Sequence, residues 1–177
     1  MSLVPPLVRI SVGIVAERRR AKSQWIDFVW RPLSALAGVP DTPPWTRLSG
    51  DDELAMYYVG AAEVELFPSE TGNYRDNLVS GKPQLWVVLR PTDAEPPYNL
   101  VLVTADPAEG EGYTQTGSDL VDPVPMPESI IDTIAAFIQV HHVERVFFKR
   151  KRTPVDSEAM APRGPARKDR GSKDRSK

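Results

Sequence analysis

Apolar and polar residues alternate along the first part of the chain, with β-branched side chains at every second position from residue 8 to residue 14. A period of two is typical of a strand with one buried face, so we predict a first strand here. Residues 25–36 predict a second strand. Pro32 cannot donate a ladder hydrogen bond, which indicates that this strand is an edge strand or is bent there.

Residues 54–67 predict the longest strand. The more apolar of its two faces is assigned to the core, and Gly60 is expected to mark a bulge. The side chains of that face are Met56, Tyr58, Ala62, Val64 and Leu66. Glu63 and Glu65 have the opposite parity, so we expect them to face solvent.

The second half of the chain predicts shorter elements. Residues 70–80 predict a short helix ended by Gly81, and the apolar runs 84–90 and 98–105 predict central strands joined by a hairpin loop. Residues 106–117 are ambiguous, because Asp106 and Pro107 are typical of a helix start whereas two glycines follow. Residues 120–127 are proline-rich and are predicted to be extended.

The clearest helix is predicted to begin near Pro127. Its apolar residues recur at steps of three and four, which defines one stripe that we expect to pack on the sheet. The stripe consists of Ile130, Ile131, Ile134, Phe137, Ile138 and His141. The order of elements favours an α+β fold, with a mostly antiparallel sheet, this C-terminal amphipathic helix and one or two short helices.

Composition divides the chain of 177 residues into two parts. Of its 22 basic residues 11 follow residue 148, against 4 of its 24 acidic residues. We therefore predict one globular domain over residues 1–148, with an acidic balance, and a disordered basic tail over 149–177. Pro5, Pro6 and Arg9 interrupt the apolar N-terminus, so we expect a cytoplasmic protein without a signal peptide or membrane insertion.

Motifs for known chemistry are few. The chain has no cysteine, which excludes disulfides and thiolate metal sites, and it has no phosphate-binding loop or nucleophile elbow. The only histidines, His141 and His142, are adjacent and diverge by about 100° on a helix, so they are badly placed to share a metal. Residues 51–53 form an acidic cluster that we interpret as a solvated turn. We expect no catalytic residue, cofactor or metal site.

A compact basic cluster follows the first strand. Arg18, Arg19 and Arg20 are the candidates for an anion-binding site, with Lys22 close by in the sequence. The alternative is that these residues form the charged end of a hairpin and balance the acidic body. The basic tail is the other candidate for an anionic partner, which could be nucleic acid or an acidic protein surface.

Six strings, in this order and spacing, resemble one family. They are VGIVAERR (12–19), VWRP (29–32, with Trp25 before it), AEVELF (62–67), YRDNL (74–78), LWVVLR (85–90) and PVPMPE (123–128). The resemblance covers residues 7–152 and is to an uncharacterised bacterial family, a domain of unknown function. Its genes are typically found beside those of molybdenum-dependent, formate-dehydrogenase-type enzymes. Some of its members are labelled molybdopterin-guanine dinucleotide biosynthesis protein A-like.

This resemblance implies a role in the molybdenum pathway. The first expectation is a non-enzymatic accessory protein that acts in maturation or assembly of a molybdenum-dependent oxidoreductase and binds a subunit of it. Exposed aromatic residues and arginine are favoured anchors of such contacts. The candidates for the partner surface are Trp25, Trp30, Tyr74, Arg75 and Asn77, although the aromatic ones could instead belong to the core, which we favour for the two tryptophans.

Two alternatives stay open. The label implies a nucleotidyltransferase or a nucleotide binder, in which Arg18, Arg19 and Arg20 would hold phosphate. However, the first strand leads into residues 17–20 and not into the glycine-rich loop of such enzymes, and the strands do not alternate with helices. The other alternative is nucleic-acid binding, which we expect only through the basic tail.

Overall fold

Two antiparallel sheets and three helices make up the part of the chain that the computed structural model describes, which is residues 5–115 and 117–143. The first sheet has four strands in the order β2-β1-β4-β3. Their bounds are β1 Val8–Arg20, β2 Phe28–Ala37, β3 Thr46–Gly50 and β4 Leu54–Leu66. This arrangement confirms a mainly antiparallel α+β fold.

The second sheet has three strands in the order β6-β5-β7. Along the chain, one helix precedes β5, one lies between β6 and β7, and one follows β7. The strands are β5 Gln84–Pro91, β6 Tyr98–Thr104 and β7 Leu120–Pro125. The helices are α1 Thr71–Val79, which follows a single 3₁₀ turn at Pro68–Glu70, α2 Pro107–Thr114 and α3 Glu128–His141. No helix within the two described ranges combines the length and the apolarity needed to cross a bilayer.

A bulge in β4 corrects the predicted core face of that strand. Ile14 of β1 pairs with Gly60, but Val15 pairs with Tyr58, so Val59 is an extra residue on β4. An extra residue reverses the inside–outside parity beyond it. Ala62, Val64 and Leu66 therefore have the predicted orientation. Tyr58 is buried as predicted, at 2% exposure, but it lies opposite Val15 on the other face of the sheet, and the half-buried Met56 lies on that other face as well.

The prediction for Pro32 is confirmed in both of its parts. It lies in β2, which is an edge strand, and the β1–β2 register shifts where Val15 pairs with Ser34 and Ala16 pairs with Pro32. Because the proline lies on an edge strand and beside a bulge, its missing N–H removes no hydrogen bond from a central ladder.

The core lies between the two sheets, where β4 packs against β6 and β2 packs against β7. Inward side chains of both sheets and of α3 form one buried cluster, in which Ile14, Leu66, Leu85, Leu89, Ile130 and Ile134 are among the largest fully buried members. Helix α3 lies beside α1, with the rings of Phe137 and Tyr74 6.4 Å apart. The predicted packing of α3 on the sheet itself stays a prediction.

Helix α2 settles the ambiguous segment in favour of a helix. The Asp106 carboxylate accepts hydrogen bonds from the backbone N–H groups of Ala108 (2.8 Å) and Glu109 (3.4 Å), which satisfies donors of the first turn. Gly110 has a packing role, since a Cβ at this position would lie 2.6 Å from Cδ1 of Trp86 and closer still to Cβ and Cγ of that residue. Glycine therefore lets α2 approach the outer face of β5.

The predictions missed β3, which has only one of its five residues even half-buried, so its sequence shows no apolar alternation. β7 lies in the segment 120–127 that was predicted to be extended, and its two prolines lie at an edge of its sheet. The predicted basic tail, 149–177, and the predicted domain boundary at residue 148 lie outside the described residues.

Candidate functional site

An open cleft of about 710 Å³ lies where the first sheet meets the loop between β5 and β6. Five aromatic side chains line it, together with one arginine and residues of that loop. The aromatic residues are Phe28, Trp30, Trp45, Tyr57 and Tyr98, and the arginine is Arg18. All six are half-buried, so each presents part of its surface to the cleft.

Strand register explains why distant parts of the sequence meet in this cleft. Arg18 of β1 pairs with Trp30 of β2, and Ala16, which shares the Arg18 face of its strand, pairs with Tyr57 of β4. Side chains opposite each other on one face of a sheet are neighbours, and the residue two positions away, such as Phe28, lies on the same face. Tyr98 reaches the cleft from the second sheet, at the start of β6.

The ring of Trp30 contacts three other aromatic rings of the lining. Its centroid lies 5.5 Å from that of Trp45, 5.1 Å from that of Tyr57 and 6.4 Å from that of Tyr98. The interplanar angles are 77°, 54° and 61°, so these rings meet edge to face or tilted and not in parallel stacks. Such contacts contribute about 0.5–1.5 kcal/mol each beyond area burial, which stabilises this arrangement of the rings.

Trp45 is held in the lining by a left-handed backbone conformation. Its φ is 65°, and it is the one non-glycine residue with a positive φ in the part of the chain that the structure describes. A bulky side chain in this region costs about 1–2 kcal/mol, so surrounding contacts must impose it. Those contacts include the packing of its ring against Trp30 and a hydrogen bond from its N–H to the carbonyl oxygen of Tyr58.

Arg18 supplies the positive charge of the cleft. Its guanidinium carbon lies 4.2 Å from the ring centroid of Phe28 and 5.4 Å from that of Tyr57. The Nε atom is buried and has no hydrogen-bond partner, and the guanidinium forms no ion pair with any residue in the described ranges. Buried donors are normally paired, so an unpaired Nε is unusual, and the charge of this guanidinium is left without a partner in the described ranges.

The loop between β5 and β6 forms the wall opposite the first sheet. Pro91, Pro96 and Pro97 line the cleft together with Thr92 and the exposed Glu95. The Thr92 hydroxyl donates to the carbonyl oxygens of Pro96 (2.6 Å) and Ala94 (3.0 Å), and the Thr92 N–H donates to Pro97 O (2.9 Å). These bonds close the loop on itself and fix the proline surface.

The structure does not bring the three candidate anion-binding arginines together. Arg18 lies in the cleft, whereas Arg19 has the opposite parity and pairs with Glu17 at 3.1 Å. The Arg20 guanidinium lies 3.8 Å from the carboxylate of Glu53. The charged-hairpin alternative thus describes Arg19 and Arg20, and only Arg18 has an uncompensated charge.

The five candidate partner-surface residues also separate. Trp30 lies in the cleft. Trp25 is 92% exposed in the loop between β1 and β2, so the favoured placement of this residue in the core is wrong. Arg75 forms a contact from its Nη1 to His142 Nε2 at 3.2 Å and an ion pair with Asp76 at 3.5 Å.

Tyr74 and Asn77 are buried and therefore belong to no exposed surface. Asn77 joins α1 to the second sheet, since its side-chain amide donates to Gln84 O (2.8 Å) and Ala105 O (2.9 Å) and accepts from Gln84 N (3.1 Å). The Tyr74 hydroxyl accepts from the N–H of Phe67 at 3.2 Å, and burial raises its pKa to about 12. Both were predicted as anchors of an exposed partner surface, and the sequence of α1 shows no clear apolar stripe that would have indicated their burial.

The histidines and the acidic cluster have local structural contacts. The His141 ring lies 4.6 Å from that of Phe137, and His142 Nδ1 lies 3.1 Å from Thr71 Oγ1. Asp51 accepts from the N–H groups of Leu54 and Glu53, and these backbone hydrogen bonds, that from Leu54 foremost, hold the pKa of its carboxyl below the usual value. Within residues 5–115 and 117–143 no three side chains of metal-ligating type cluster.

Sequence reasoning missed four of the six residues that define the cleft: Phe28, Trp45, Tyr57 and Tyr98. Aromatic residues at strand positions indicate a core, and nothing in their spacing shows that they share a concave surface. The available signal was compositional, because prolines and aromatic residues recur together at 43–45 and at 91–98.

Fold and cleft together define a class: an α+β domain with an open aromatic binding cleft. Residues 11–152 match the family described as Protein of unknown function (DUF3305), and the chain belongs to that family. No curated protein and no solved structure matches the chain significantly.

Proposed function

We propose that this chain is a non-enzymatic accessory protein that serves the maturation or assembly of a molybdenum-dependent, formate-dehydrogenase-type oxidoreductase, and that it binds its partner through the aromatic cleft. The observation that supports binding is the cleft itself, where tryptophan, tyrosine and arginine converge. These three residue types are the ones enriched at energetically dominant contact points. The identity of the partner, a molybdenum-dependent enzyme, is proposed from the family resemblance of the sequence.

A binding role fits the groups present better than a catalytic role. Arg18 cannot act as a general acid or base at physiological pH, and the prolines and the side chains of Phe28, Trp30 and Trp45 carry no acid–base group. Glu95 is exposed on the loop, and its pairing with a second acid–base group in the cleft is not seen among the described lining residues. The lining is therefore better suited to recognition by shape, apolar contact and one positive charge than to acid–base catalysis.

The nucleotidyltransferase alternative depended on Arg18, Arg19 and Arg20 acting together on phosphate. Because Arg19 and Arg20 have carboxylate partners outside the cleft, one arginine is left for a polyphosphate. The sites that bind such groups normally add a glycine-rich loop or a helix N-terminus, and the described lining has neither. These observations favour the accessory role over the nucleotidyltransferase.

The experiment is an affinity capture from the native host with the full chain as bait and mass spectrometry as the readout. We expect a subunit of a molybdenum-dependent oxidoreductase to be enriched by the wild-type chain and lost with Trp30→Leu. Arg9→Gln is the matched control, since Arg9 lies on β1 outside the cleft and pairs with Glu63 and Glu65. Equal capture by Trp30→Leu in a folded protein would refute the cleft as the binding site.

A further inference from the structure

The geometry of the cleft lining restricts the kind of group that fits it. A flat heterocycle gains most from two parallel walls, but Trp30 meets its three aromatic neighbours at angles between 54° and 77°. Tilted rings leave notches between their edges and faces. Notches of this kind suit puckered or branched groups, such as the rings of proline and the side chains of aliphatic residues.

The lining also matches the chemistry by which proteins bind extended proline-rich segments. Such segments adopt the polyproline II conformation and dock in grooves of tryptophan, tyrosine and proline, where little conformational entropy remains to be lost. Here Trp30, Trp45 and Tyr57 line the cleft together with Tyr98 and the prolines of the β5–β6 loop. Ring contacts around Trp30 and the hydrogen bonds of Thr92 hold these groups in place without a ligand.

Charge specifies the occupant further. The guanidinium of Arg18 is held between Phe28 and Tyr57, and its buried Nε donor has no partner among the described residues. A carboxylate is the side-chain group that matches the planar fork of a guanidinium, and it can accept from the two Nη atoms. The exposed Glu95 of the lining adds a negative charge, which opposes a doubly charged phosphate more strongly than a singly charged carboxylate.

From these observations we infer that the cleft binds an extended, proline-containing segment of a partner protein, with a carboxylate of that segment paired to Arg18. The inference rests on the proposed function, because it names the part of the partner that the cleft recognises. Proline and aliphatic side chains fill the notches around Trp30. The carboxylate fixes the direction in which the segment lies in the groove.

The test uses the full chain and two labelled synthetic peptides, Pro-Pro-Glu-Pro-Pro-Leu-Pro and the same peptide with Lys in place of Glu, with fluorescence anisotropy as the readout. We expect the Glu peptide to bind at least about tenfold more tightly than the Lys peptide, since a charge-assisted pair is at stake. Arg18→Gln should remove this preference and leave the Lys peptide unchanged. Trp30→Phe should weaken both peptides, and Arg9→Gln should change neither.

Three results would overturn the inference: equal binding of both peptides, a Glu preference that survives Arg18→Gln, or no binding of either peptide while guanosine monophosphate binds and is lost with Arg18→Gln. Circular dichroism of each variant shows that it is folded. Failure here differs from failure of the proposed function. If capture of the oxidoreductase depends on Trp30 but the peptides do not bind, the accessory role stands and the recognised group is of another kind.

Discussion

Replacement of Arg18 by methionine tests whether this residue serves binding or folding. Methionine retains an unbranched apolar stem, so packing against Phe28 and Tyr57 is largely preserved. The substitution removes two cation–π contacts, at 4.2 Å and 5.4 Å, which are worth about 0.5–1 kcal/mol each. It also removes a buried Nε donor without a partner, whose burial costs about 1–3 kcal/mol.

The two effects nearly cancel, so we expect the free energy of unfolding of Arg18→Met to lie within about 1 kcal/mol of the wild-type value. Urea unfolding followed by circular dichroism measures this. With a slope of about 2 kcal/mol per molar urea, the midpoint should move by less than about 0.5 M. Binding of the acidic peptide should nevertheless be lost.

Arg90→Met is the matched control. Arg90 donates from Nε (2.9 Å) and Nη2 (2.8 Å) to the carboxylate of Asp119, whose side chain is fully buried. Removal of the cation from a buried carboxylate destabilises a fold, so the midpoint of this variant should fall clearly below that of Arg18→Met. A loss of more than about 2 kcal/mol on Arg18→Met would show that Arg18 is a structural residue and would refute the reasoning.

Three further predictions concern the fold. Asn77→Ala leaves both backbone groups of Gln84 without their side-chain partner and should lower the free energy of unfolding by about 3 kcal/mol, measured by urea denaturation. Gly110→Ala should lower the melting temperature although alanine favours helices, because the new Cβ collides with Trp86; an unchanged value would contradict the packing of α2 on β5. Burial raises the pKa of Tyr74 from 10.0 to about 12, so the folded state keeps a proton that the unfolded state loses. Stability should therefore fall between about pH 10 and 12 in the wild type, and Tyr74→Phe should lack this component.

Local signals were enough for the parts of the fold that depend on neighbours in sequence. Alternation of apolar and polar residues predicted β1, and Asp106 and Pro107 indicated where α2 begins. Gly81 indicated that α1 ends before it. β3 could not be found in this way, because a short exposed edge strand buries too little to show a pattern. The face of β4 was assigned correctly only after Gly60, since a bulge reverses parity without leaving a periodic trace.

The candidate site depended on contacts that local signals do not carry. Arg18 and Trp30 were both singled out, but for different reasons: one as part of a phosphate site and the other as a partner anchor. They are neighbours because they pair directly across β1 and β2. Tyr98 comes from the other sheet, about 70 residues further along the chain than Phe28, and meets them only through the packing of the two sheets.

The stability of the domain does not explain the composition of this cleft. A left-handed tryptophan at residue 45 and a buried, unpartnered donor on Arg18 each destabilise the folded chain. Both are avoidable, since glycine or asparagine adopts positive φ more readily and a methionine packs without an orphan donor. Two such costs in one concave, aromatic surface are typical of a binding site, where the ligand supplies the missing contacts. A partner carboxylate at Arg18 would neutralise a charge that has no ion-pair partner among the described residues of the free protein.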